Sequence, residues 1–320
     1  MFKFLKYSIL LMLIFGLVTV VSAQDSWQPE RTVTFYVDHG AGGGSDMMAR
    51  TVVSIIEDLD LVPTNIKVVN KPGTAVGAMY LKSEAGNPHI VFNLNAGFLN
   101  QSFTSDADFT ISEFTSLPRL CIDPTVFIAK SDSEFKDMSD LIEYAKAHPN
   151  VVTVGITTFG NSEHTFVEEI AYNQGVDLNI VPFDSGAEVM AAILGGHIHS
   201  TPSNVSEAVG QIDAGKVRAL GINTDERVPE LENVPTLDEL GIEAEYMQFR
   251  GYLLAPDVSE EAQEYWEDVF KKVTESEQWK DYMQKNLMYT KFIPSKEHME
   301  ILINYESKLE ETLKGIGMID

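Results

Sequence analysis

The chain has 320 residues, 44% of them hydrophobic, and a single cysteine, so it can bury its own core but cannot form an intramolecular disulfide. Its formal net charge is −25 at pH 7, because 48 acidic residues face 23 basic ones. Such a charge disfavours nucleic acid and anionic membranes as partners, and a negatively charged ligand would need strong local donors to bind.

The first 23 residues have the pattern of a secretory signal peptide. Lys3 and Lys6 supply the positive charges, residues 8–21 form a nearly continuous apolar run, and Val21-Ser22-Ala23 is a small-residue cleavage site. The apolar run is short for an uncleaved membrane anchor. We therefore predict cleavage after Ala23 and export to the periplasm.

Strand-like and helix-like patterns alternate along the rest of the chain. Strands are predicted at 33–37, 66–70, 90–94, 126–130, 151–156, 178–182, 217–223, 252–255 and 288–292, and helices at 47–58, 138–147, 164–172, 188–194, 206–214, 260–274 and 296–314. Candidate helix N-caps are Asp46, Ser139, Ser185, Ser259 and Ser295. The alternation predicts an α/β fold in which mostly parallel sheets are flanked by helices.

Two places have the pattern of crossings between domains. A proline interrupts the pattern at 121–124, and a polar loop gives way to a new apolar strand near 245–249. With these crossings, domain 1 is discontinuous and comprises 24–123 plus 247–320, and domain 2 comprises 124–246. Ligands of such proteins lie in the cleft between domains.

A glycine-rich loop follows the first strand. Residues 40–44 contain four glycines, which allow a sharp turn and let backbone N–H groups point at one spot. Asp46 stands where the N-cap of the next helix is expected. A phosphate-binding nucleotide loop is disfavoured because no Gly-Lys-Ser/Thr follows, and Ser45 occupies the third glycine position of a dinucleotide fingerprint. The segment therefore predicts an anion-binding cradle.

Five segments carry a family resemblance. They are the glycine loop with its Asp46 and Arg50 (41–50), Val-Asn-Lys-Pro-Gly (69–73), Val-Pro-Phe-Asp-Ser-Gly-Ala (181–187) with Leu-Gly-Gly (194–196), Ala-Gly-Lys-Val-Arg-Ala-Leu (214–220) and Asn-Val-Pro-Thr-Leu (233–237). In this order they resemble the substrate-binding proteins of tripartite tricarboxylate transporters, the Bug-type family.

The resemblance implies a two-lobed type II periplasmic binding protein fold that closes on a small organic carboxylate. It implies a monomeric receptor without a cofactor or enzymatic activity, which delivers its ligand to the permease subunits of the transporter. The ligand-binding residues that it implies are Ala41, Gly42, Gly43, Asn95 and Ala96 on one lobe and Thr157, Thr158, Asn161, Ser162, Ser203 and Asn204 on the other. His39 is added to them because it lies at the lip of the cradle.

Arg250 is added from its position at the second crossing. Its guanidinium could hold a carboxylate in a fork, or it could form an ordinary salt bridge with one of the many surface acids. Both alternatives stay open at this point.

The chain also departs from the family pattern. Asp38-His39-Gly40 replaces the usual Pro-Phe-Pro, and Ser203-Asn204 replaces an Asp-Asn pair. An acid at the latter position could bind an ammonium group, so its loss favours a ligand without one. Dicarboxylates or hydroxy-carboxylates are our first expectation and aromatic carboxylates the second.

Two other functions remain as alternatives. A metal-binding or sensor receptor could use Asp38 and His39 with His197 and His199, which we expect on one face of a strand. An exported hydrolase could use the same cleft, although no Gly-x-Ser-x-Gly elbow is present.

Overall fold

The computed structural model describes residues 27–157, 159–183, 185–244, 246 and 248–320. The predicted signal peptide, its cleavage site and Thr158 lie outside the described residues. Within the described ranges, no helix is both long enough and apolar enough to span a membrane.

Strands and helices alternate as the sequence predicts. The strands are β1 (Val33–Val37), β2 (Ile66–Asn70), β3 (Ile90–Leu94), β4 (Thr115–Ile122), β5 (Thr125–Lys130), β6 (Thr153–Ile156), β7 (Asn179–Pro182), β8 (Thr201–Asn204), β9 (Val217–Asn223), β10 (Phe249–Leu254) and β11 (Tyr289–Ile293). The α-helices are α1 (Gly44–Asp58), α2 (Thr74–Ser83), α3 (Ala96–Thr104), α4 (Met138–Ala147), α5 (Ser162–Gln174), α6 (Gly186–Gly195), α7 (Val205–Asp213), α8 (Glu260–Glu275), α9 (Glu277–Lys285) and α10 (Ser295–Gly315). Short 3₁₀ helices cover Ile111–Glu113, Pro229–Leu231 and Asp238–Leu240.

A six-stranded sheet has the order β11-β4-β10-β3-β1-β2. β1 is parallel to both β2 and β3, so that Phe35 lies beside Val68 on one side and Val91 on the other. The completely buried Phe35 packs edge-on against Trp266 of α8. Removing apolar side chains such as Phe35 and Trp266 from water supplies the main favourable free energy that stabilises this sheet and its helices.

The remaining strands form a second group. β8-β5-β9 is a three-stranded antiparallel sheet, and β6 and β7 form a parallel pair. A bridge between Val154 and Ser200 joins β6 to the segment that leads into β8.

The prediction of mostly parallel sheets is wrong for the pairing of the described strands. β10 runs antiparallel to β3 and β4, β11 runs antiparallel to β4, and β5 is antiparallel to both of its neighbours. The reason lies in the connections: β4 leads out of the six-stranded sheet and β10 leads back into it, so these strands are not part of the local strand–helix–strand units that produce parallel pairing.

Several local predictions also need correction. Ser185 and Ser259 cap α6 and α8 as expected, whereas the N-cap positions of α1, α4 and α10 are held by Gly43, Asp137 and Pro294 instead of Asp46, Ser139 and Ser295. At α4 the Asp137 carboxylate accepts the amide of Asp140, so a stronger acceptor two residues earlier starts the helix.

The chain leaves the six-stranded sheet after Ile122 and rejoins it at Phe249. We call the elements of the six-stranded sheet and its helices lobe 1, and those between β5 and β9 lobe 2. The lobes touch directly: Asn100 of α3 donates a 2.7 Å hydrogen bond to the carbonyl of Gly160, and Thr165 of α5 donates to the Asn100 side chain at 2.9 Å. The domain boundaries at 123/124 and 246/247 stay a prediction.

Candidate functional site

The glycine loop ends in a helix N-terminus without a side-chain cap. Gly43 is the N-cap of α1 and has no side chain to offer, and Gly42 adopts the left-handed φ of +85° that favours glycine. The Gly42 amide donates to Asp46 Oδ2 at 2.8 Å, so Asp46 closes the loop from within the first turn of the helix. In the described part of the chain, the amides of Gly44 and Ser45 donate to no protein oxygen. Within the predicted cradle, Gly42 and Gly43 thus donate inside the loop, whereas the amide of Ala41, like those of Gly44 and Ser45, has no protein acceptor in the described part of the chain.

Asp38 and His39 form a close pair at the lip of this loop. Asp38 is buried, and its Oδ1 lies 2.5 Å from Nδ1 of His39, whose side chain is 46% exposed. Burial would raise the pKa of Asp38, but the charge of His39 and hydrogen bonds outweigh it, and the pKa is lowered. Burial likewise opposes the charged form of His39, and Asp38 outweighs it, so the pKa of His39 is raised.

Arg250 lies beneath the start of α1. Its side chain is buried against Asp123, which has no exposed surface, and Nε donates to Asp123 Oδ2 at 2.9 Å while Nη2 contacts the same oxygen. Nη1 reaches Ser45 Oγ at 3.2 Å. Burial alone would lower the pKa of Arg250, but the charge of Asp123 and its hydrogen bonds to Arg250 outweigh burial, so the pKa is raised. Arg250 thus forms a salt bridge, but its partner is the buried Asp123 at the crossing between the lobes and not a surface acid, as that alternative expected.

The same carboxylate also binds lobe 2, since Ser206 of α7 donates to Asp123 Oδ2 at 3.1 Å. Arg250, Asp123 and Ser206 therefore connect the helix N-termini of the two lobes. A direct contact of Arg250 with a ligand stays a prediction.

The start of α5 supplies the hydroxyl and amide groups expected from lobe 2. Asn161 caps the helix by accepting the His164 amide at 2.9 Å, and the adjacent Ser162 is buried. Thr157 donates both its amide and its hydroxyl to Glu163 Oε2, at 3.0 and 2.7 Å. These donors of Thr157 are already satisfied within lobe 2. Burial, followed by the charge of Glu207 among other causes, raises the pKa of Glu163.

The remaining predicted residues lie at two further helix starts. Asn95 caps α3 by accepting the amide of Gly97 at 2.8 Å, and the Ala96 amide donates to Gln248 at 3.4 Å. Ser203 donates to the carbonyl of Asn204, which precedes α7 without capping it through its side chain.

Helix N-termini of the two lobes lie close together in two groups, α1 with α6 and α7, and α3 with α5. A methyl group on Gly44 at the start of α1 would lie 2.5 Å from Arg250 Nη2 and 3.2 Å from Oε1 of Glu207 in α7. One on Gly186 at the start of α6 would lie 3.7 Å from Oε2 of the same Glu207, and one on Gly97 of α3 would lie 3.9 Å from the hydroxyl of Ser162 in α5. Each helix N-terminus carries about half a positive charge. Helix starts that lie close together would favour an anion locally, even in a strongly acidic protein.

Glu207 is the residue that the sequence reasoning missed. It lies in the first turn of α7, is exposed, and reaches across to the first residue of α1. The pair Ser203-Asn204 itself carries no acid, and the expectation of a ligand without an ammonium group stays a prediction. The sequence does show an acidic residue three positions after Asn204. Only the fold shows that its side chain extends toward the start of α1 on the other lobe.

The metal alternative gains no support from the geometry. His197 and His199 lie in a bend between α6 and β8, not on a strand as expected, because the helix continues to Gly195. Thr153 donates its amide to His199 Nδ1 at 3.0 Å, whereas His39 pairs with Asp38. Among the described residues, no group of three or more histidine, cysteine or acidic side chains is arranged to hold a metal ion.

Comparison with known proteins agrees with the resemblance drawn from the sequence. Residues 62–318 match the family model described as "Tripartite tricarboxylate transporter family receptor". The chain belongs to this family. A relative from Cupriavidus necator, described as "UPF0065 protein in gbd 5'region", is 24% identical over 299 residues, which cover 92% of this chain and 90% of the relative.

Solved structures share the fold of this receptor. MatC from Rhodopseudomonas palustris, solved with bound malate, has a TM-score of 0.77 at 20% identity and covers 89% of this chain and 99% of its own. Rpa4515 from R. palustris, solved with adipate, has a TM-score of 0.81 at 19% identity and covers 90% and 98%. The predicted α/β periplasmic binding protein fold is confirmed, with mixed rather than mostly parallel sheets.

Proposed function

We propose that this receptor captures a small organic carboxylate in the cleft between its lobes and delivers it to the membrane subunits of a tripartite tricarboxylate-type transporter. The observation that carries the proposal is the approach of the α1 N-terminus of lobe 1 to the starts of α6 and α7 of lobe 2, with the Gly44 and Ser45 amides free of acceptors in the described part of the chain. The dicarboxylates present in two proteins of the same fold support the ligand class. Dicarboxylates and hydroxy-carboxylates are the first candidates, and aromatic carboxylates the second.

Local donors explain how a chain of net charge −25 could hold an anion. Charge-assisted hydrogen bonds from backbone amides act at about 2.7–2.9 Å, whereas surface carboxylates act over distances at which salt screens them. In the proposed mode, one carboxylate of the ligand accepts hydrogen bonds at the start of α1, and the helix starts of lobe 2 approach from the other side.

Capture involves hinge closure and no covalent chemistry. A ligand that contacts both lobes favours the closed arrangement by its differential affinity for that state. The chain crosses between the lobes at Asp123 and again before Phe249, so these segments are the proposed hinge. Export to the periplasm, with cleavage after Ala23, places the receptor where a transporter of this family takes up its cargo.

A ligand panel tests the proposal. Thermal unfolding of the exported form is followed with succinate, malate, adipate and benzoate, each compared with its uncharged amide. A ligand present at a hundredfold excess over its dissociation constant adds about 2.7 kcal/mol of stability. Stabilisation by at least one carboxylate and by none of the amides is expected.

Two results would contradict the proposal. Stabilisation by Zn²⁺ or Ni²⁺ alone, with no response to any carboxylate, would favour the metal receptor. Turnover of ester substrates that persists after chelation and buffer exchange would favour the hydrolase.

A further inference from the structure

The proposed binding mode leaves the pair of Asp38 and His39 unused. Asp38 directly follows the last residue of β1, and its side chain is 1% exposed, whereas that of His39 is 46% exposed. The pair thus joins a buried carboxylate to an imidazole that solvent can reach. An imidazole is also the side chain whose charge changes most readily near neutral pH.

The surroundings of His39 place its imidazole in the cleft. The charges of Arg250 on β10 and of Glu207 on α7 both act on its protonation. These two groups flank the start of α1, since a methyl group on Gly44 would lie 2.5 Å from Arg250 Nη2 and 3.2 Å from Glu207 Oε1. His39 therefore lies near the helix start that holds one ligand carboxylate in the proposed mode.

Asp38 fixes the orientation of this imidazole. The Asp38 amide donates to Asn93 Oδ1 at 2.9 Å, and its carbonyl accepts from the Gly73 amide at 3.0 Å, so the backbone is held on two sides. Hydrogen bonds from the side chains of Thr74 and Asn93 also favour its carboxylate form. Asp38 Oδ1 lies 2.5 Å from Nδ1 of His39. Because a buried carboxylate needs such a partner, the ring is held by Nδ1 and Nε2 points away from Asp38.

The second nitrogen of His39 has no partner among the residues that the structure describes. The side chain of His39 contacts Asp38 alone, and neither a hydrogen bond nor an ion pair joins it to Glu207. Arg250 is bound to Asp123. In a protonated histidine both ring nitrogens donate, so one N–H serves Asp38 and the other is left for an anion.

The groups around His39 favour its protonated form. Burial lowers the pKa of His39, and so does the charge of Arg250, but the charge and hydrogen bond of Asp38 and the charge of Glu207 outweigh them. The pKa is therefore raised, and the imidazolium persists to a higher pH than in a free histidine.

We infer that His39, oriented by Asp38, donates from Nε2 to the second carboxylate of a dicarboxylate ligand, so that the receptor binds dicarboxylates more tightly when His39 is protonated than when it is neutral. The first carboxylate contacts the α1 start. Since Arg250 is bound to Asp123 and Glu207 repels a second negative charge, the imidazolium offsets this repulsion. The inference rests on the proposed function and names the group that separates dicarboxylates from monocarboxylates.

Matched ligand pairs test the inference on the wild-type protein. Succinate is compared with butyrate and adipate with hexanoate, by titration calorimetry from pH 6.5 to pH 9.5, where the ligand carboxyl groups stay largely ionised. The dicarboxylate that binds most tightly should lose about tenfold in affinity over this range, the contribution of one hydrogen bond to a charged group. The affinity of its monocarboxylate partner should change by less than about threefold, because that ligand does not reach His39.

Two substitutions separate the charge of His39 from its structural role. His39→Gln keeps a hydrogen-bonding side chain without the charge, so at pH 6.5 it should bind the dicarboxylate about tenfold more weakly than the wild type and show no further loss at pH 9.5. His39→Lys restores a cation whose ordinary pKa of about 10.4 lies above the range, so it should regain the preference for the dicarboxylate and keep it at pH 9.5.

His197→Gln is the matched control. It makes the same substitution at an exposed histidine on lobe 2, in the bend after α6, and should keep the affinities and the pH profile of the wild type. Thermal unfolding of each variant without ligand verifies that it is folded at the temperature of the titrations.

Different failures separate the two proposals. If carboxylates bind but the dicarboxylate affinity does not fall with rising pH, the inference about His39 is wrong and the receptor function stands. The same holds if monocarboxylates alone bind, or if His39→Gln weakens both members of a pair equally. If no mono- or dicarboxylate binds the wild-type protein at any pH of the range, the receptor function itself is contradicted.

Discussion

The buried pair of Arg250 and Asp123 gives the sharpest prediction about stability. Only 5% of the surface of Arg250 and none of that of Asp123 is exposed, and the pair lies where the chain passes from one lobe to the other. Arg250→Met keeps most of the side-chain volume but removes the charge. It leaves the Asp123 carboxylate buried with the Ser206 hydroxyl as its remaining described donor.

An uncompensated buried charge costs about 3–5 kcal/mol of unfolding free energy, and we expect Arg250→Met to fall in this range. Adding Asp123→Asn removes the stranded charge while it keeps a side chain that accepts from Ser206. The double variant should therefore be more stable than Arg250→Met by about 2 kcal/mol, although it contains one more substitution.

Urea unfolding at pH 7, followed by both fluorescence and circular dichroism, measures these differences. Arg227→Met is the control, because the Arg227–Glu239 pair is exposed and such pairs contribute about 0–1 kcal/mol. A loss of less than about 1 kcal/mol in Arg250→Met, or a double variant whose losses simply add, would refute the assignment of a coupled buried pair.

Four further substitutions probe the site and the core. Gly44→Ala places a methyl group 2.5 Å from the Arg250 guanidinium, so it should lower stability by about 1–3 kcal/mol and weaken carboxylate binding, whereas Gly210→Ala meets no atom within 4 Å and should stabilise α7 by about 0.5–1 kcal/mol. The pKa of His39 is raised in the folded protein, so its pairing with Asp38 stabilises the fold fully below the unfolded-state pKa of about 6.5. This stabilisation is lost as the pH rises through the folded-state pKa. The difference in unfolding free energy between wild type and His39→Gln should therefore shrink from pH 6 to pH 9. Burial lowers the pKa of His298 to about 4, so the wild type should lose about 2–3 kcal/mol as the pH falls from 7 to 4.5, and His298→Leu should lose that much less.

Urea titrations at each pH check these expectations. Equal effects of the two glycine substitutions would mean that the space at Gly44 is not restricted. A difference for His39→Gln that grows with rising pH, or a His298→Leu variant as sensitive to acid as the wild type, would contradict the corresponding protonation state.

The sequence predicted the strands that lie in local strand–helix–strand units. The bounds of β1, β2 and β3 agree with the prediction, because hydrophobic runs and turn residues mark both ends. β4 was missed because Pro118 and Arg119 break the apolar pattern, yet both are buried there by the surrounding sheet and α10. Its pairing is antiparallel and bulged, which a local pattern does not reveal.

In the candidate site too, contiguous segments could be predicted from the sequence and contacts between distant residues could not. The glycine loop is contiguous, so a tight turn at the start of α1 could be predicted from composition, and its role in binding an anion stays a prediction. Arg250 was identified by its position, but its partner Asp123 is 127 residues away in sequence. Glu207 acts across the cleft from another lobe, and only the fold brings it to Gly44. Contacts between distant segments were therefore the part that the sequence could not supply.

A crystal structure with the tightest-binding carboxylate of the panel tests the central claim most directly. The account predicts a ligand carboxylate within hydrogen-bonding distance of the Gly44 and Ser45 amides, enclosed by the helix starts of lobe 2. A ligand bound elsewhere, or one in the cleft whose carboxylate points away from the start of α1, would contradict it.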